Sequence, residues 1–102
     1  MRLTAIQVKA IKGTFAIHFL KEDNIWLFGS RVDDTKKGGD IDLYIETNYD
    51  DLTLIVQKKL KFLSDLTRII GEQKIDVIIN VLQKNKNLPI YQEARNTGIL
   101  LL

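Results

Sequence analysis

The chain has 102 residues, of which 45% are hydrophobic and 27% are charged, and it contains no cysteine. This composition is typical of an ordinary globular protein, so we expect one domain over residues 1–102, without disulfides, thiolate metal sites or a cysteine nucleophile. The net charge of +2 is too small to indicate nucleic-acid binding. No apolar run approaches the roughly 18 residues of a membrane span, and Lys9 and Lys12 interrupt any signal-peptide pattern, so we expect a cytoplasmic protein.

The first third of the chain predicts a helix and then a short buried strand. Over residues 3–19 apolar side chains recur every three or four positions, as on one helical face: Val8, Ile11, Phe15 and Phe19. Gly13 weakens the middle of this helix by up to about 1 kcal/mol relative to alanine. Residues 25–28 are all apolar, which predicts a strand covered on both faces that ends at Gly29 and Ser30. A polar loop over residues 31–39 follows, with a short helical turn at its start.

A second strand and a long helix are predicted next. From residue 40 polar and apolar residues alternate, which predicts a strand with one apolar face. The polar face carries Asp40, Asp42, Tyr44 and Glu46. Turn and helix-cap residues over positions 48–51 lead into an amphipathic helix that ends at Gly71. Its apolar stripe consists of Leu52, Ile55, Val56, Leu63, Leu66 and Ile70.

The last third of the chain predicts a third strand over residues 74–79 and a short final helix that starts at Pro89. Residues 99–102 are apolar and form either the last core element or part of an interface with another chain. The order helix, strand, strand, helix, strand, helix predicts an α/β or α+β domain.

Three aspartates in the predicted strands form a candidate chemical site. Asp40 and Asp42 point to the same face of a strand, about 6.6 Å apart along the backbone. Asp76 lies between Ile75 and Val77, where a carboxylate is unfavourable unless it is paired or bound to a metal. If the two strands are neighbours, the three carboxylates meet on one surface and suit a two-metal site for phosphoryl displacement. An Asp-x-Asp pair alone is also common on the wet face of an edge strand, so this hypothesis depends on strand adjacency.

The Gly29-Ser30 pair at the end of the first strand is a candidate phosphate site. Glycine permits close approach of the backbone, and backbone N–H groups in a tight turn can hold an anion. The Ser30 hydroxyl can add a hydrogen bond, and Arg31 can pair with a phosphate or lie solvated at the surface. A Gly-Ser pair alone is most often a simple turn, so the interpretation gains force only together with the aspartates.

Read together, three elements resemble the DNA polymerase beta-like nucleotidyltransferases. They are residues 28–31 (FGSR), 39–43 (GDIDL) and 75–77 (IDV). The signature of that family is Gly-Ser, a short variable loop, Asp-x-Asp and a later third acid on a strand. The nine residues between Ser30 and Asp40 suit that spacing. The small size is similar to that of the minimal nucleotidyltransferases of prokaryotes.

The resemblance implies the nucleotidyltransferase fold, a small mixed β-sheet of three or more strands with helices packed mainly on one face. The implied catalytic and metal-binding residues are Asp40, Asp42 and Asp76, which would bind two Mg²⁺ ions. Asp76 would also help to activate the attacking hydroxyl, while Gly29 and Ser30 would hold the triphosphate of a nucleotide with the assistance of Arg31. The implied reaction transfers a nucleoside monophosphate, AMP from ATP, to a hydroxyl and releases pyrophosphate.

The resemblance also implies a protein partner. Minimal nucleotidyltransferases are typically paired with a HEPN-domain RNase toxin, and they act as its antitoxin by adenylylating a tyrosine or by masking the toxin. A chain of this size has no room for an acceptor domain, so we expect the acceptor on another chain; a homo-oligomer also stays open. Two alternatives are a binding-only antitoxin without turnover and an enzyme that acts on a small molecule. The absence of a basic patch or an aromatic-lined strand face disfavours a nucleic-acid partner.

Overall fold

A computed structural model describes residues 1–35 and 39–102; residues 36–38 of the predicted loop lie outside the described residues. The elements in chain order are α1 (Ala5–His18), β1 (Asn24–Phe28), a 3₁₀ turn (Gly29–Val32), β2 (Ile41–Thr47), α2 (Leu52–Ile70), β3 (Ile75–Val81), a second 3₁₀ turn (Leu82–Lys84), α3 (Pro89–Thr97) and β4 (Ile99–Leu100). Within the described residues, no helix is long and apolar enough to cross a membrane.

The strands form a four-stranded mixed sheet in the order β3-β2-β1-β4. β1 pairs antiparallel with both β2 and β4, whereas β2 pairs parallel with β3. A parallel pair needs a long crossover connection, which α2 supplies here. The prediction of a small mixed sheet with packed helices is therefore confirmed, and it gains a fourth strand that the sequence pattern did not predict.

The main core lies between the sheet and two helices, α1 and α2. The side chains that fill it from the helices are Ala10, Ile11, Phe15, Phe62 and Leu66, and those from β1 and β2 are Ile25, Leu27, Ile41, Leu43 and Ile45. Both helices begin at side-chain caps that satisfy free backbone N–H groups. Thr4 and Gln7 form a capping box on α1, and Asp51 accepts hydrogen bonds from the second and third residues of α2. These caps fix the residue at which each helix begins.

The apolar stripe predicted for α2 is rotated from the face that the helix buries. Ile55, Phe62 and Leu66 are buried, whereas Leu52 and Val56 are each 55% exposed. The prediction was therefore wrong for Leu52 and Val56 and omitted Phe62. The reason is that α2 packs against the aromatic side chains of α1, where the Phe62 ring lies edge-on to Phe15 at a centroid distance of 6.4 Å.

The opposite face of the sheet is covered by α3. Trp26, Phe28 and Tyr44 of the sheet pack there against Ala94. Because α3 covers this face, Tyr44 and Glu46 are buried, and the prediction of only one buried face on β2 was wrong. The Tyr44 hydroxyl donates to a Glu46 carboxylate oxygen at 2.7 Å, and burial raises the pKa of Tyr44 above its usual range.

Residues 99–102 close the sheet beside β1. Leu101 is buried and its N–H donates to the Ile25 carbonyl at 2.8 Å, so this segment forms the last core element, one of the two roles that its apolar character predicts. The chain reaches this position through Gly98, directly after α3. A Cβ at Gly98 would collide with the carbonyl oxygens of Ala94 and Leu27, so the turn requires glycine for reasons of space.

Replacing Gly98 with alanine should lower the free energy of unfolding by about 2 kcal/mol or more, because the collision is with backbone atoms that cannot move without disturbing β1. Gly13→Ala is the matched control. No described residue lies within 4 Å of a Cβ at Gly13, so that substitution should raise stability by up to about 1 kcal/mol. Urea unfolding of both variants measures the two effects, and equal stabilities would contradict the tight turn at Gly98.

Candidate functional site

The parallel pairing of β2 and β3 brings two of the predicted aspartates together. Asp42 lies in register with Asp76, on the face of the sheet that carries α3. Adjacent strands are about 4.8 Å apart, so the two carboxyl groups lie close enough to repel each other. Burial raises the pKa of Asp42 above 3.8, and the negative charges of Asp76 and Asp40 raise it further. The strand adjacency on which the three-acid hypothesis depends is therefore present.

Asp40 stands just before β2, at the edge of the same cluster. Its carboxylate lies 3.3 Å from the Lys74 ammonium group, just before β3. This hydrogen-bonded pairing, reinforced by the charges of Asp40 and Asp76, raises the pKa of Lys74. Lys74 therefore offsets part of the negative charge of the three aspartates. It belongs to the site by position, although its place in the sequence, next to a strand, gave no sign of this.

The predicted phosphate turn lies directly against the aspartates. Gly29 has a φ of 77°, and a Cβ on this residue would collide with the carboxylate of Asp42. Glycine is therefore required both by the backbone conformation and by the space that Asp42 fills. The turn that begins at Gly29 and the carboxylate pair of β2 and β3 thus form one continuous surface.

Ser30 and Gly39 form a second close contact beside the turn. Gly39 has a φ of 89°, and a Cβ at this position would collide with the Ser30 hydroxyl oxygen. The backbone just before Asp40 therefore packs against the start of the 3₁₀ turn. The residue that follows Gly29 therefore lies against the residue that precedes Asp40, so the two ends of the predicted loop are close together.

Two arginines brace this turn. Arg31 donates from Nε to the Gly39 carbonyl at 3.3 Å and from Nη1 to the Arg2 carbonyl at 3.0 Å. Arg2 donates from Nη2 to the Ser30 carbonyl at 3.0 Å and from Nε to the Asp33 carbonyl. The Arg31 guanidinium thus holds the loop in place, and its contact with a phosphate stays a prediction. Arg2 was missed because no motif marks it.

A cavity of about 440 Å³ opens between the turn and α3. Gly29 and Ser30 lie on one side of it, and Ile90, Glu93 and Thr97 of α3 lie on the other. Ligand pockets for small molecules have volumes of roughly 300–1,000 Å³. The cavity is therefore large enough for the sugar and base of a nucleotide whose phosphates lie over the turn.

The donor set of the cluster is suited to magnesium. Carboxylate oxygens are the protein ligands that Mg²⁺ takes, and a divalent cation would offset both the burial and the repulsion that raise the pKa of Asp42. Among residues 1–35 and 39–102, no three acidic, histidine or cysteine side chains already converge as a metal cluster. Asp42 and Asp76 influence each other's charge, whereas one oxygen of the Asp40 carboxylate is paired with Lys74. Lys74 would therefore compete with a cation for Asp40.

Comparison with known protein families gives one result. The model of the family described as polymerase beta, nucleotidyltransferase matches residues 10–102 of the chain. The matched segment contains every predicted site residue. No curated protein matches the chain.

Gly29→Ala should destabilise the protein more than Gly71→Ala. Gly71 has a φ of 86° and a ψ of 175°, a conformation that essentially only glycine adopts, but no described residue lies within 4 Å of a Cβ there, so its variant suffers only backbone strain of about 1–3 kcal/mol. The collision with Asp42 adds to that strain at Gly29. Urea unfolding of the single variants and of Gly29→Ala/Asp42→Ala should show that the second substitution recovers part of the loss. Equal losses at both glycines would contradict the close contact.

In the absence of divalent cations, Asp42→Asn should be more stable than the wild type at neutral pH. The folded-state pKa of Asp42 is raised above 3.8, so its contribution to stability is complete below pH 3.8 and is lost as pH rises through the folded pKa. Asparagine does not ionise and avoids this loss. Urea unfolding with a chelator should show a gain that disappears below pH 3.8. Asp50→Asn, at an exposed position outside the site, is the matched control, and a gain independent of pH would contradict the carboxylate repulsion.

Proposed function

Because the chain belongs to the family of polymerase beta nucleotidyltransferases, we propose that it transfers AMP from ATP to a hydroxyl group of an acceptor protein. The family membership supports a nucleotidyltransferase activity. The observation that carries the finer proposal is the register of Asp42 with Asp76 directly beside Gly29. This arrangement places two carboxylates on one surface with a turn whose glycine leaves its backbone accessible. The transfer of a highly charged phosphoryl group requires such positioning and charge neutralisation.

Asp40, Asp42 and Asp76 are the residues that would hold two magnesium ions. When bound, magnesium neutralises the charge of the triphosphate and stabilises the negative charge that develops in the transition state. Lys74 pairs with Asp40, since its ammonium group lies 3.3 Å from that carboxylate. From this position beside the aspartates its positive charge would also attract an anionic substrate.

The nucleotide is expected to bind along the turn and the cavity beside α3. Gly29 lets the backbone approach the phosphates, and the N–H groups at the start of a 3₁₀ turn have no partner within that turn. Ser30 adds a hydroxyl donor. The cavity between the turn and α3 would take the sugar and base. The preference for ATP is carried over from the nucleotidyltransferases that the sequence resembles.

The reaction is an in-line displacement at the α-phosphorus of ATP. The oxygen of the acceptor hydroxyl forms a bond to the α-phosphorus, and the bond from that phosphorus to the oxygen bridging the α- and β-phosphates breaks. Pyrophosphate leaves with the bonding electron pair. Asp76 is exposed on β3, so its carboxylate can reach an incoming hydroxyl and accept its proton.

The acceptor is proposed to be a tyrosine of a HEPN-domain toxin, and this chain would then act as the antitoxin in the cytoplasm. The support for this partner is the resemblance to the minimal nucleotidyltransferases, which residues 28–31, 39–43 and 75–77 carry. A binding-only antitoxin and an enzyme that acts on a small molecule are distinguished from this proposal by where a radioactive label appears.

With ATP labelled at the α-phosphate, the wild-type protein should transfer label to a protein in a lysate of its own organism when Mg²⁺ is present. ATP labelled at the γ-phosphate should transfer none, because that phosphate leaves in pyrophosphate. Asp42→Asn and Asp76→Asn should each lower the transfer by at least about 100-fold, since each removes a negative charge that would hold the magnesium ions that stabilise the transition state. Asp50→Asn should leave it unchanged.

Label in a small molecule rather than in a protein would replace the protein acceptor with the small-molecule alternative. Absence of any transfer by a folded wild-type protein that still binds Mg²⁺ and ATP would favour the binding-only antitoxin. Transfer that persists in both aspartate variants would contradict the assignment of the site.

A further inference from the structure

β3 is an edge strand that carries one of the site aspartates. It lies at the end of the sheet order, and its seven residues pair only with β2 among the described elements. Apart from Asp76 and Asn80, the side chains of this strand are apolar. A long apolar edge of this kind offers unpaired backbone groups to another extended chain. Proteins commonly shield such edges, and no described element covers this one by strand pairing.

One hydrogen bond shows which backbone groups of β3 point to β2 and which point to the free edge. The N–H of Ile41 donates to the Lys74 carbonyl at 3.1 Å. In a parallel pair both backbone groups of every second residue point to the same neighbour, so those of Asp76, Ile78 and Asn80 point to β2. The N–H and carbonyl groups of the alternate residues, Val77 and Ile79 among them, therefore point to the free edge.

A cavity of about 230 Å³ lies at the carboxyl end of this edge. Three consecutive strand residues line it: Ile79, Asn80 and Val81. Because consecutive residues of a strand point to opposite faces, a cavity lined by all three lies against the edge of the strand rather than over one face. The cavity thus lies beside the free edge of β3, at the carboxyl end of the strand.

Some polar groups around this cavity have no partner among the described residues. Asn80 is 8% exposed and donates from Nδ2 to the Tyr44 hydroxyl, but its buried Oδ1 accepts no hydrogen bond from the part of the chain that the structure describes. Lys84 and Lys86 line the cavity, and neither forms an ion pair within the described part of the chain. A buried acceptor beside two unpaired ammonium groups suits a ligand with an N–H or O–H donor and a negative charge.

We propose that the acceptor protein docks as an extended acidic segment along the free edge of β3. Backbone groups of the segment pair with those of Val77 and Ile79, its acidic side chain lies in the cavity near Lys84 and Lys86, and its acceptor hydroxyl lies beside Asp76. The cavity extends to Val81, about 17 Å from Asp76 along the strand, so the hydroxyl and the acidic residues are about five or six residues apart. This inference rests on the proposed function, because it names how the protein acceptor is recognised.

The first test is nuclear magnetic resonance titration of the full chain with two synthetic peptides, YVTVTEE and its reverse EETVTVY. One of them should bind saturably and shift the amide signals of Val77 and Ile79 more than that of Ile78. N-methylation of the peptide at one set of alternate residues should weaken binding by at least about tenfold, because it removes two or more backbone hydrogen bonds. N-methylation of the other set should leave binding unchanged, since those amides face away.

The second test addresses the acidic end of the segment. Lys84→Ala/Lys86→Ala should weaken binding of the glutamate peptide about five- to tenfold, as expected for partly exposed charge pairs. Lys9→Ala/Lys12→Ala removes the same charge from exposed positions of α1 and should have no effect. YVTVTKK should bind the wild type more weakly than YVTVTEE.

Val77→Pro provides a variant of the protein itself. Proline removes an N–H that points away from β2, a position at which edge strands tolerate it, so peptide binding should be lost. Binding of Mg²⁺ and ATP by the same variant tests whether the register of Asp42 with Asp76 survives the loss of the Val77 side chain from the core. If this variant does not fold, the N-methylated peptides test the same hydrogen bonds on the wild type.

Several results would overturn the docking proposal. They are no saturable binding of either peptide, shifts confined to residues away from β3, and equal effects of the two N-methylation patterns. Protection of the β3 amides by dimerisation of the free protein would assign the edge to a second copy instead. Failure of these peptide tests in a protein that transfers AMP through Asp42 would reject the docking proposal and leave the proposed function standing.

Discussion

The register between β2 and β3 determines the position of every other part of the site. With Asp42 opposite Asp76, both carboxylates lie on the face of α3, and a slip of one residue would send one of them into the main core. That slip is prevented by the apolar residues that alternate with the aspartates. Leu43 is fully buried, and its register partner Val77 packs against the same core under α1 and α2. The hydrophobic effect thus holds two like charges together.

Contact between like charges costs stability, and the surrounding residues limit that cost. Lys74 pairs with Asp40, so the cluster is not left with three uncompensated charges. Gly29 has no side chain, and its backbone therefore lies against Asp42 without steric conflict. A cation bound by the carboxylates would reduce the repulsion further. Like charges held together at a cost in stability are typical of functional sites.

Much of this arrangement could be predicted from local pattern. Alternation in β2 and β3 places Asp42 and Asp76 on strands, and the family signature names them together with Gly29. What the pattern could not supply is tertiary. β4 is only two residues long and is stabilised by pairing with β1, and the cover of α3 over Tyr44 depends on how the chain returns after β3.

The supporting residues of the site were harder to predict than the aspartates. Lys74 and Arg2 act through long flexible side chains that reach across space, and neither lies in a motif. Arg31 was predicted to pair with a phosphate or to lie solvated, and what the sequence pattern did not show is that its guanidinium donates to the backbone carbonyls of Gly39 and Arg2. Sequence spacing identifies the residues that carry charge into the site, whereas the residues that hold the site in shape depend on the folded chain.

The most direct test of the central claim is a calorimetric titration with ATP, with and without Mg²⁺, on the wild type and on Asp40→Asn/Asp42→Asn. The account predicts saturable binding to the wild type only when Mg²⁺ is present, and none to the folded double variant. Unchanged binding in the double variant, or binding that does not depend on Mg²⁺, would contradict the claim that the aspartates of β2 and β3 form a metal-dependent nucleotide site.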